Sequence, residues 1–424
     1  MSTVPYSTYV ESGIEWSRRI PSHWKVVPLL AVADEAVIKN VNLQSKVRLS
    51  LSYGRIKIKD FTSNDGLLPE SFETYHLVCK GDVVLRLIDL QNDRVSLRSA
   101  ASNFSGMTSP AYLILRPKRI TGAYFAYLLR FYDIVKVFYA LGGGLRQSVG
   151  FDDIRRLPII MPSAPEQHAI AAFLDRETAK IDALVAEQEC LLALLTEKRK
   201  AVISRAVTQG LDPSVPMKDS GVEWLGKVPE YWSIQAVWTM FNLGRGRVLS
   251  HEAIADAPGP YPVYSSQTEN DGMMGFIDTF DFDGDFLTWT TDGANAGTVF
   301  RRSGKFNCTN VCGILKPKIR LNLNFFLHIL NNATAFYVRK DINPKLMNGV
   351  MGRIRIPRPT LDEQIRIISF CERHVGHFQT LMDEVYCSIR LLKERRAALI
   401  SAAVTGKIDV RGAVPLEEDS KEAA

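Results

Sequence analysis

The chain has 424 residues, of which 46% are hydrophobic and 23% charged, and its formal net charge is +6 at pH 7. These proportions are typical of a globular protein with two or three cores. No run of about 18 apolar residues occurs, and the N-terminus is polar, so we expect a cytoplasmic protein without a membrane span. The six cysteines predict reduced thiols, and Cys308 and Cys312 are interpreted as half-buried thiols in preference to zinc ligands.

The charge is unevenly distributed along the chain. Residues 11–165 contain 21 Lys and Arg against 14 Asp and Glu, whereas residues 219–362 contain 15 against 14. The second block is therefore a poor candidate for non-specific phosphate binding. If it binds nucleic acid, we expect it to depend on precisely placed donors and not on bulk charge.

The predicted elements form four alternating blocks and a tail. Strands are predicted over 81–88 and 111–117, with a helix over 125–140; the pattern returns as strands over 284–291 and 312–318 and a helix over 325–338. Long helices are predicted over 166–208 and 363–405. The resulting segments are residues 1–165, 166–212, 213–362 and 363–410, followed by an acidic, disordered tail over 411–424.

Two internal repeats organise these blocks. ESGIEWSRRIPSHW (11–24) returns as DSGVEWLGKVPEYW (219–232), so that Trp16 and Trp24 match Trp224 and Trp232. A Pro-x-x-x-Glu-Gln motif opens each long helix, at 162–167 and 359–364. A chain doubled in this way suits a target that presents two similar surfaces at a fixed separation, and duplex DNA is such a target. The four tryptophans are predicted to be packing anchors between domain and helix.

Both long helices have apolar residues at alternating spacings of three and four. This seam is typical of a coiled coil and includes Leu184 and Leu191, with polar breaks at Glu177 and Lys198 that match His374 and Arg395. We expect the two helices to pair antiparallel, each spanning roughly 65 Å. The alternative is that each helix packs only on its own domain.

The motifs of several enzyme classes are missing. The chain has no phosphate-binding Gly-rich loop, no His-Glu-x-x-His, no Asn/Asp-Pro-Pro-aromatic tetrapeptide and no Glu-x-Lys. We therefore predict a non-catalytic recognition protein, with no catalytic and no metal-ligating residues. Two rival interpretations remain: a self-contained methyltransferase or nuclease with a degenerate site, and an interaction scaffold without a DNA function.

With its two repeats and two Glu-Gln helix openings, the whole chain resembles the specificity subunits of type I restriction–modification enzymes. The resemblance implies an α+β fold: two globular α/β target-recognition domains separated by two long antiparallel coiled-coil helices, with pseudo-two-fold symmetry. It also implies that the chain reads a bipartite site in double-stranded DNA. Two modification (methyltransferase) subunits and the restriction (translocase/nuclease) subunits are the implied partners. No cofactor is expected on this chain, whereas S-adenosylmethionine, ATP and Mg are implied for those partners.

Three polar segments in each half are candidates for DNA contact. LSLSYGRIKIKD (49–60) is matched with YPVYSSQTENDG (261–272), Arg86 to Arg98 with Trp289 to Arg301, and GGGLRQSVG (142–150) with INPKLMNG (342–349). Amide side chains can bind adenine edges, Arg can bind guanine, and Lys or Ser can hold phosphates. The predicted contact residues are Arg86, Arg94, Arg146, Gln147, Ser148, Ser265, Ser266, Gln267, Asn295, Lys345 and Asn348.

Overall fold

The computed structural model describes residues 4–52, 54–60, 71–91, 97–141, 148–338 and 343–412. The chain divides into two units, Met1–Glu189 with Cys387–Ala424, and Cys190–Tyr386. Both divisions fall inside a long helix, because the two ends of each helix pack into different units. Apart from its first two residues, the predicted acidic tail lies outside the described residues.

The first unit contains a globular domain of short strands and one main helix. Its strands are β1 (Tyr9–Glu11), β2 (Arg19–Pro21), β3 (Lys25–Pro28), β4 (Ala33–Glu35), β5 (Arg48–Ser52), β6 (Arg55–Lys59), β7 (His76–Val78), β8 (Val83–Leu85), β9 (Ser99–Ala101), β10 (Gly106–Thr108), β11 (Leu113–Pro117) and β12 (Pro158–Met161). Its helices are α1 (Gly122–Ile134), α2 (Phe151–Ile154) and the beginning of α3 (Ala164–Gln209).

The second unit repeats this series of elements. Its strands are β13 (Met217–Asp219), β14 (Lys227–Pro229), β15 (Ser233–Ala236), β16 (Phe241–Arg245), β17 (Tyr261–Tyr264), β18 (Met273–Ile277), β19 (Phe282–Asp283), β20 (Phe286–Thr290), β21 (Val299–Arg302), β22 (Lys305–Cys308), β23 (Cys312–Pro317) and β24 (Arg355–Arg358). Its helices are α4 (Val237–Met240), α5 (His251–Asp256), α6 (Leu323–Tyr337), α7 (Asn348–Arg353) and the beginning of α8 (Leu361–Val404).

The two domains share one sheet topology. The first has four-stranded sheets in the orders β6-β5-β10-β7 and β4-β11-β8-β9; the second has β18-β17-β22-β19 and β16-β23-β20-β21. In both domains the strand before the long helix pairs antiparallel with an early strand, β12 with β3 and β24 with β15. The predicted α+β class, with two globular domains and two long helices, is confirmed.

One predicted helix is shorter than expected. The stretch over 125–140 is not continuous, because α1 ends at Ile134 and a separate 3₁₀ turn covers Val137–Ala140. Lys136 lies between them in the left-handed region, with φ +65°, which interrupts the helical backbone. The apolar pattern of this stretch does not indicate the interruption, because α1 and the 3₁₀ turn both contribute side chains to the same core.

The long helices run antiparallel within each unit. In the first unit the beginning of α3 shares a core with the end of α8, through Ile170 and Val404 among others, and Asp182 binds Arg396 at 2.8 Å. In the second unit Val207, near the end of α3, shares a core with Ile367 in the first turns of α8. Among the described residues, no helix is both long and apolar enough to cross a membrane.

The apolar seam predicted for the long helices is less buried than its spacing suggests. Leu184 is 45% exposed and Leu191 is 39% exposed, although the spacing predicts that both lie in the seam. A helix pair covers one face of each helix, so long apolar side chains at the edge of that face remain in contact with solvent. The polar breaks Lys198 and Arg395 are exposed, while His374 is half-buried and lies 4.1 Å from Phe370 between ring centroids.

The Gln of each Pro-x-x-x-Glu-Gln motif holds a domain to its long helix. The amide of Gln167 donates to the carbonyl of Pro162 at 3.0 Å and accepts from the backbone N–H of Thr121, just before α1, at 2.8 Å. Gln364 makes the same pair of bonds in the second unit, to the Pro359 carbonyl at 2.9 Å and from the Asn322 N–H at 2.9 Å. The repeat in sequence is thus a repeat in hydrogen bonding.

The Glu of each Pro-x-x-x-Glu-Gln motif binds a side chain of the Trp-containing repeat (11–24 or 219–232) in the same half of the chain. Glu166 accepts from the indole N–H of Trp24 at 3.2 Å and lies 2.8 Å from a ring nitrogen of His23. Glu363 accepts instead from the hydroxyl of Tyr231 at 2.7 Å. Trp24 and Trp232 are almost fully buried in the two main cores, which confirms that they are packing anchors.

Glu166 makes a testable contribution to stability. Burial alone would raise its pKa, but hydrogen bonds from His23, Ser163 and Trp24 outweigh that effect and lower the pKa to about 2. A depressed carboxylate pKa stabilises the fold above its ordinary value near 4.5, and this contribution is lost as the pH falls toward 2. We expect Glu166→Gln to lower the free energy of unfolding by about 1–3 kcal/mol at pH 7.

The measurement is urea unfolding of wild type and variant at a series of pH values. The difference between them should shrink as the pH falls below about 4.5. Glu187→Gln, on an exposed position of the same helix, is the matched control and should leave unfolding nearly unchanged at every pH. A Glu166→Gln difference that does not change with pH would contradict this role.

Candidate nucleic-acid interface

In the second domain the three predicted segments lie together at the ends of their strands. The amide of Asn295 donates to the hydroxyl of Thr268 at 3.2 Å, which joins the turn after β20 to the loop after β17. The Leu346 N–H donates to the Thr291 carbonyl at 2.9 Å, which brings in the segment before α7. Segments far apart in sequence therefore form one polar surface.

The loop after β17 is held by side-chain hydrogen bonds, one of them from the turn after β22. Ser265 accepts a hydrogen bond from the Thr309 hydroxyl at 3.2 Å, Ser266 is half-buried, and the exposed Gln267 donates its amide to the Met273 carbonyl. Arg302 packs against the residue that precedes the loop, since its guanidinium lies 3.7 Å from the centroid of the Tyr264 ring. Burial lowers the pKa of Arg302, and its donation to the Asp271 carbonyl orders the loop.

Lys345 belongs to a small charged cluster that the sequence did not suggest. Its amino group lies 3.6 Å from a carboxylate oxygen of Asp292, and Arg245 lies 3.7 Å from the other oxygen. Arg247, two residues further along the chain, binds Asp281 at 2.8 Å. The only signal for these arginines is the alternating Gly-Arg-Gly-Arg at 244–247.

The glycine between the two arginines is required by a close approach of the backbone. A Cβ atom on Gly246 would lie 2.2 Å from the Cys308 carbonyl oxygen and 2.3 Å from that of Thr309. Cys308 and Cys312 lie beside this contact as free, buried thiols. Their mutual hydrogen bond raises the pKa of Cys308 and lowers the pKa of Cys312. No group of three or more potential metal ligands occurs in the part of the chain that the structure describes.

Asn348 already has a structural partner. Its side-chain amide donates to the Gly244 carbonyl at 3.0 Å and ties the first turn of α7 to β16. The side chain is half-buried, whereas Asn295 is exposed. The amide of Asn348 can reach a base only if this bond breaks or if its oxygen is used.

In the first domain the corresponding surface is only partly described. The Val149 N–H donates to the Leu87 carbonyl at 2.9 Å, which places the exposed Ser148 beside the turn that begins at Arg86. Arg86 is half-buried. The predicted contact residues Arg94, Arg146 and Gln147 lie outside the described residues.

The hydrogen bonds correct one alignment between the halves. Arg86 N–H donates to the Arg98 carbonyl as Thr290 N–H donates to the Thr298 carbonyl. Arg86 therefore corresponds to Thr290 and not to Trp289, and Arg98 corresponds to Thr298 and not to Arg301. The prediction was wrong because it assumed turns of equal length, and the turn of the first domain is longer.

Arg98 supports this turn from inside the domain and is not itself one of the predicted contact residues. It is fully buried, and its guanidinium donates to the carbonyls of Arg86 at 2.9 Å and Ile88 at 3.0 Å and to the Tyr139 hydroxyl at 3.2 Å. These bonds satisfy backbone acceptors at the base of the long turn. Arg98 thus fixes the backbone of Arg86 from inside the domain.

The different settings of Asn348 and Asn295 lead to a prediction. Asn348→Ala removes a half-buried bond and leaves the Gly244 carbonyl without this donor, so we expect the free energy of unfolding to fall by about 1 kcal/mol. Asn295→Ala removes a hydrogen bond at an exposed position and should change the free energy of unfolding by less than about 0.5 kcal/mol. Urea unfolding of both variants is the measurement, and equal effects would show that Asn348 has no special structural role.

Comparison with known proteins agrees with this geometry. Residues 229–384 match the family described as the type I restriction modification DNA specificity domain. A putative type I specificity subunit of Mycoplasma pneumoniae is 44% identical over 156 residues, which are 36% of this chain and 65% of that protein. The specificity subunit of the type I restriction enzyme MpnII, from the same organism, is 38% identical over 156 residues, 36% of this chain and 47% of that protein.

Solved structures agree in fold over nearly the whole chain. A chain from a structure of a type I restriction–modification system has a TM-score of 0.65 at 16% identity, and the match covers 91% of this chain and 98% of that one. The HsdS subunit of Thermoanaerobacter tengcongensis has a TM-score of 0.51 at 13% identity, covering 92% and 98%. The resemblance to type I specificity subunits is confirmed, although the chain spans less than two thirds of the curated relatives described above.

Proposed function

Starting from this resemblance to type I specificity subunits, we propose that the chain reads a bipartite sequence in double-stranded DNA and performs no catalysis itself. Each globular domain reads one half-site. The observation that carries the proposal is that the two domains share one strand order but present different side chains at the same place. Ser148 in the first domain corresponds to Lys345 in the second, since each precedes the residue that donates to the adjacent turn. A common scaffold with different polar ends suits two different half-sites.

The partners and cofactors follow from the resemblance. We propose that two modification subunits bind this chain and methylate adenines with S-adenosylmethionine, and that restriction subunits join with ATP and Mg. The chain itself would hold none of these cofactors, and the complex would act in the cytoplasm. The paired helix ends in each unit support a scaffolding role, because they are continuous with the domain cores.

A direct test separates this proposal from its rivals. The purified chain is assayed for binding to duplex DNA, for binding of S-adenosylmethionine and for nicking, first alone and then with its partner subunits. We expect DNA binding that strengthens with the modification subunits, and neither methyl-donor binding nor nicking by the chain alone. Methyl transfer by the isolated chain would overturn the non-catalytic assignment, and absence of DNA binding in every combination would overturn the proposal.

Independent reading by the two domains predicts modular exchange. Replacing residues 221–355 by the equivalent domain of another specificity subunit should change one half of the methylated motif and leave the other half unchanged. Mapping methylated adenines across the genome of a host with the chimera is the measurement. A host without the gene is the control, and changes in both halves would contradict independent reading.

Lys345 and Asn295 are expected to contribute differently to DNA binding. Lys345→Ala should weaken binding to all DNA sequences alike and reduce the slope of log affinity against log salt by about one. Asn295→Ala should cost about 1–3 kcal/mol on the cognate site and relax the sequence at one position. The measurement is binding of the assembled methylating complex to cognate and single-mismatch duplexes at several salt concentrations.

Two further variants serve as controls for the Lys345 experiment. Asp292→Asn removes the carboxylate beside Lys345 and Arg245, so it should strengthen binding and steepen the salt slope. Lys227→Ala removes an exposed lysine of β14 and should change neither quantity. If all variants bind like wild type, this cluster is not part of the DNA-binding surface.

A further inference from the structure

The hairpin formed by β5 and β6 has two chemically different faces. Opposite residues of an antiparallel pair lie on the same side of the ribbon, and alternate residues along a strand share that side. One face therefore carries the cross-strand pairs Arg48–Lys59, Ser50–Lys57 and Ser52–Arg55. The other face carries Leu49 and Leu51 paired with Ile58 and Ile56, and Leu49, Leu51 and Ile56 contribute to the interior of the domain.

The polar face has more positive charge than its surroundings neutralise. Among the ion pairs of the described residues, Arg55 is bound to Asp182 at 2.6 Å, and none involves Arg48, Lys57 or Lys59. One guanidinium nitrogen of Arg48 and the hydroxyl of Ser50 are buried without a hydrogen-bond partner. Lys57, opposite Ser50, is exposed. Cations that make no ion pair with any described residue favour an anion on this face.

The tip of the hairpin is held rigidly to the rest of the first unit. The buried Arg130 donates to the Gly54 carbonyl at 2.6 Å, and Gly54 has φ +70° with no room for a Cβ against that guanidinium. Asp182 of α3 binds both Arg55 and Arg396 of α8. The ribbon is thus anchored on α1 and α3, and Asp182 links it to α8, so its polar face is pre-organised for a ligand.

In the second domain the strand pair that corresponds to the β5–β6 ribbon carries no positive charge. There β17 runs parallel to β22 as β5 runs parallel to β10, so β17 and β18 correspond to the ribbon. The paired strands YPVY and MMGFI contain no Lys or Arg, and the polar loop with Ser265 and Gln267 connects them. The excess positive charge of the first domain, 21 Lys and Arg against 14 Asp and Glu over 11–165, is therefore partly concentrated on this ribbon.

We propose that the polar face of the β5–β6 ribbon binds the phosphate backbone of duplex DNA and supplies much of the salt-dependent affinity of the first domain. The inference rests on the proposed function and deepens it, because it names phosphate-binding residues within the 49–60 segment that is predicted to contact DNA. Lys57 and Lys59 contact phosphates, and Ser50 and Arg48 lie directly opposite them on the neighbouring strand. A two-stranded ribbon is narrow enough to follow a major groove about 12 Å wide. The second domain depends on placed donors instead.

The test compares four versions of the 424-residue chain in binding to a fluorescein-labelled duplex of mixed sequence. The test variant is Lys57→Gln/Lys59→Gln. The charge-matched control is Lys25→Gln/Lys80→Gln, which removes two exposed lysines of the same domain from β3 and from the turn before β8. Fluorescence anisotropy is measured between about 50 and 200 mM salt, the range over which phosphate contacts dominate the change in affinity.

We expect the ribbon variant to lose about two from the slope of log affinity against log salt, and roughly tenfold in affinity per removed contact near 0.1 M salt. The control should retain the wild-type slope. Lys57→Arg/Lys59→Arg keeps both positive charges of the ribbon and should also retain that slope. Circular dichroism melting checks that the substitutions at the exposed Lys57 and the half-buried Lys59 leave the fold intact. A wild-type slope in the ribbon variant, or an equal loss in the control, would overturn the inference while the proposed function stands. Absence of salt-dependent binding by the wild type would overturn both.

Discussion

Each globular domain depends on one buried glutamine. Gln167 and Gln364 each join the carbonyl of the proline that precedes a long helix to the backbone N–H that precedes the domain's main helix. A buried amide must satisfy both its donor and its acceptor, and few arrangements of neighbouring backbone allow this. The bond pair therefore fixes where α1 stands on α3, and where α6 stands on α8. The sheets pack on α1 and α6, so the positions of the polar turns follow from these two side chains.

The two domains show how one scaffold can carry two kinds of recognition surface. Their sheets have the same order, and the turns at their ends make matching backbone hydrogen bonds. The first domain adds a basic ribbon held at its tip by Arg130, whereas the second closes a polar loop around Arg302. In both cases a buried arginine binds backbone carbonyls beneath the polar element. Sequence-distant arginines thus order the parts that differ, while the glutamines order the parts that are shared.

The long helices and the repeats could be predicted from the sequence because they carry strong local signals. The predicted helices over 166–208 and 363–405 agree closely with Ala164–Gln209 and Leu361–Val404. The α1 region shows the limit, because a left-handed Lys136 interrupts it without changing the apolar pattern. The exposed seam leucines show a second limit, since periodicity predicts which face is apolar but not how far a neighbour covers it.

The candidate site was less predictable because its geometry depends on contacts between distant strands. The convergence of Asn295 with Thr268 and the pairing of Arg245 with Asp292 arise from sheet order, which no local pattern specifies. The alternation of cations in RIKIK (55–59) was visible, but its meaning required the register with β5 that puts those cations and two serines on one face. The correspondence of Arg86 with Thr290 likewise required the hydrogen bonds, because the two turns differ in length.

The antiparallel pairs β3–β12 and β15–β24 have a consequence for the history of such a chain. Each pair closes the chain at the base of a domain through backbone hydrogen bonds, which any non-proline residue can supply. The entropy of closing a loop rises only with the logarithm of its length, by about 0.6 kcal/mol for each doubling. The stretch between the paired strands can therefore lengthen, shorten or be exchanged by recombination at little cost to the closure itself. Selection can then diversify the polar turns of a domain while the long helices remain unchanged.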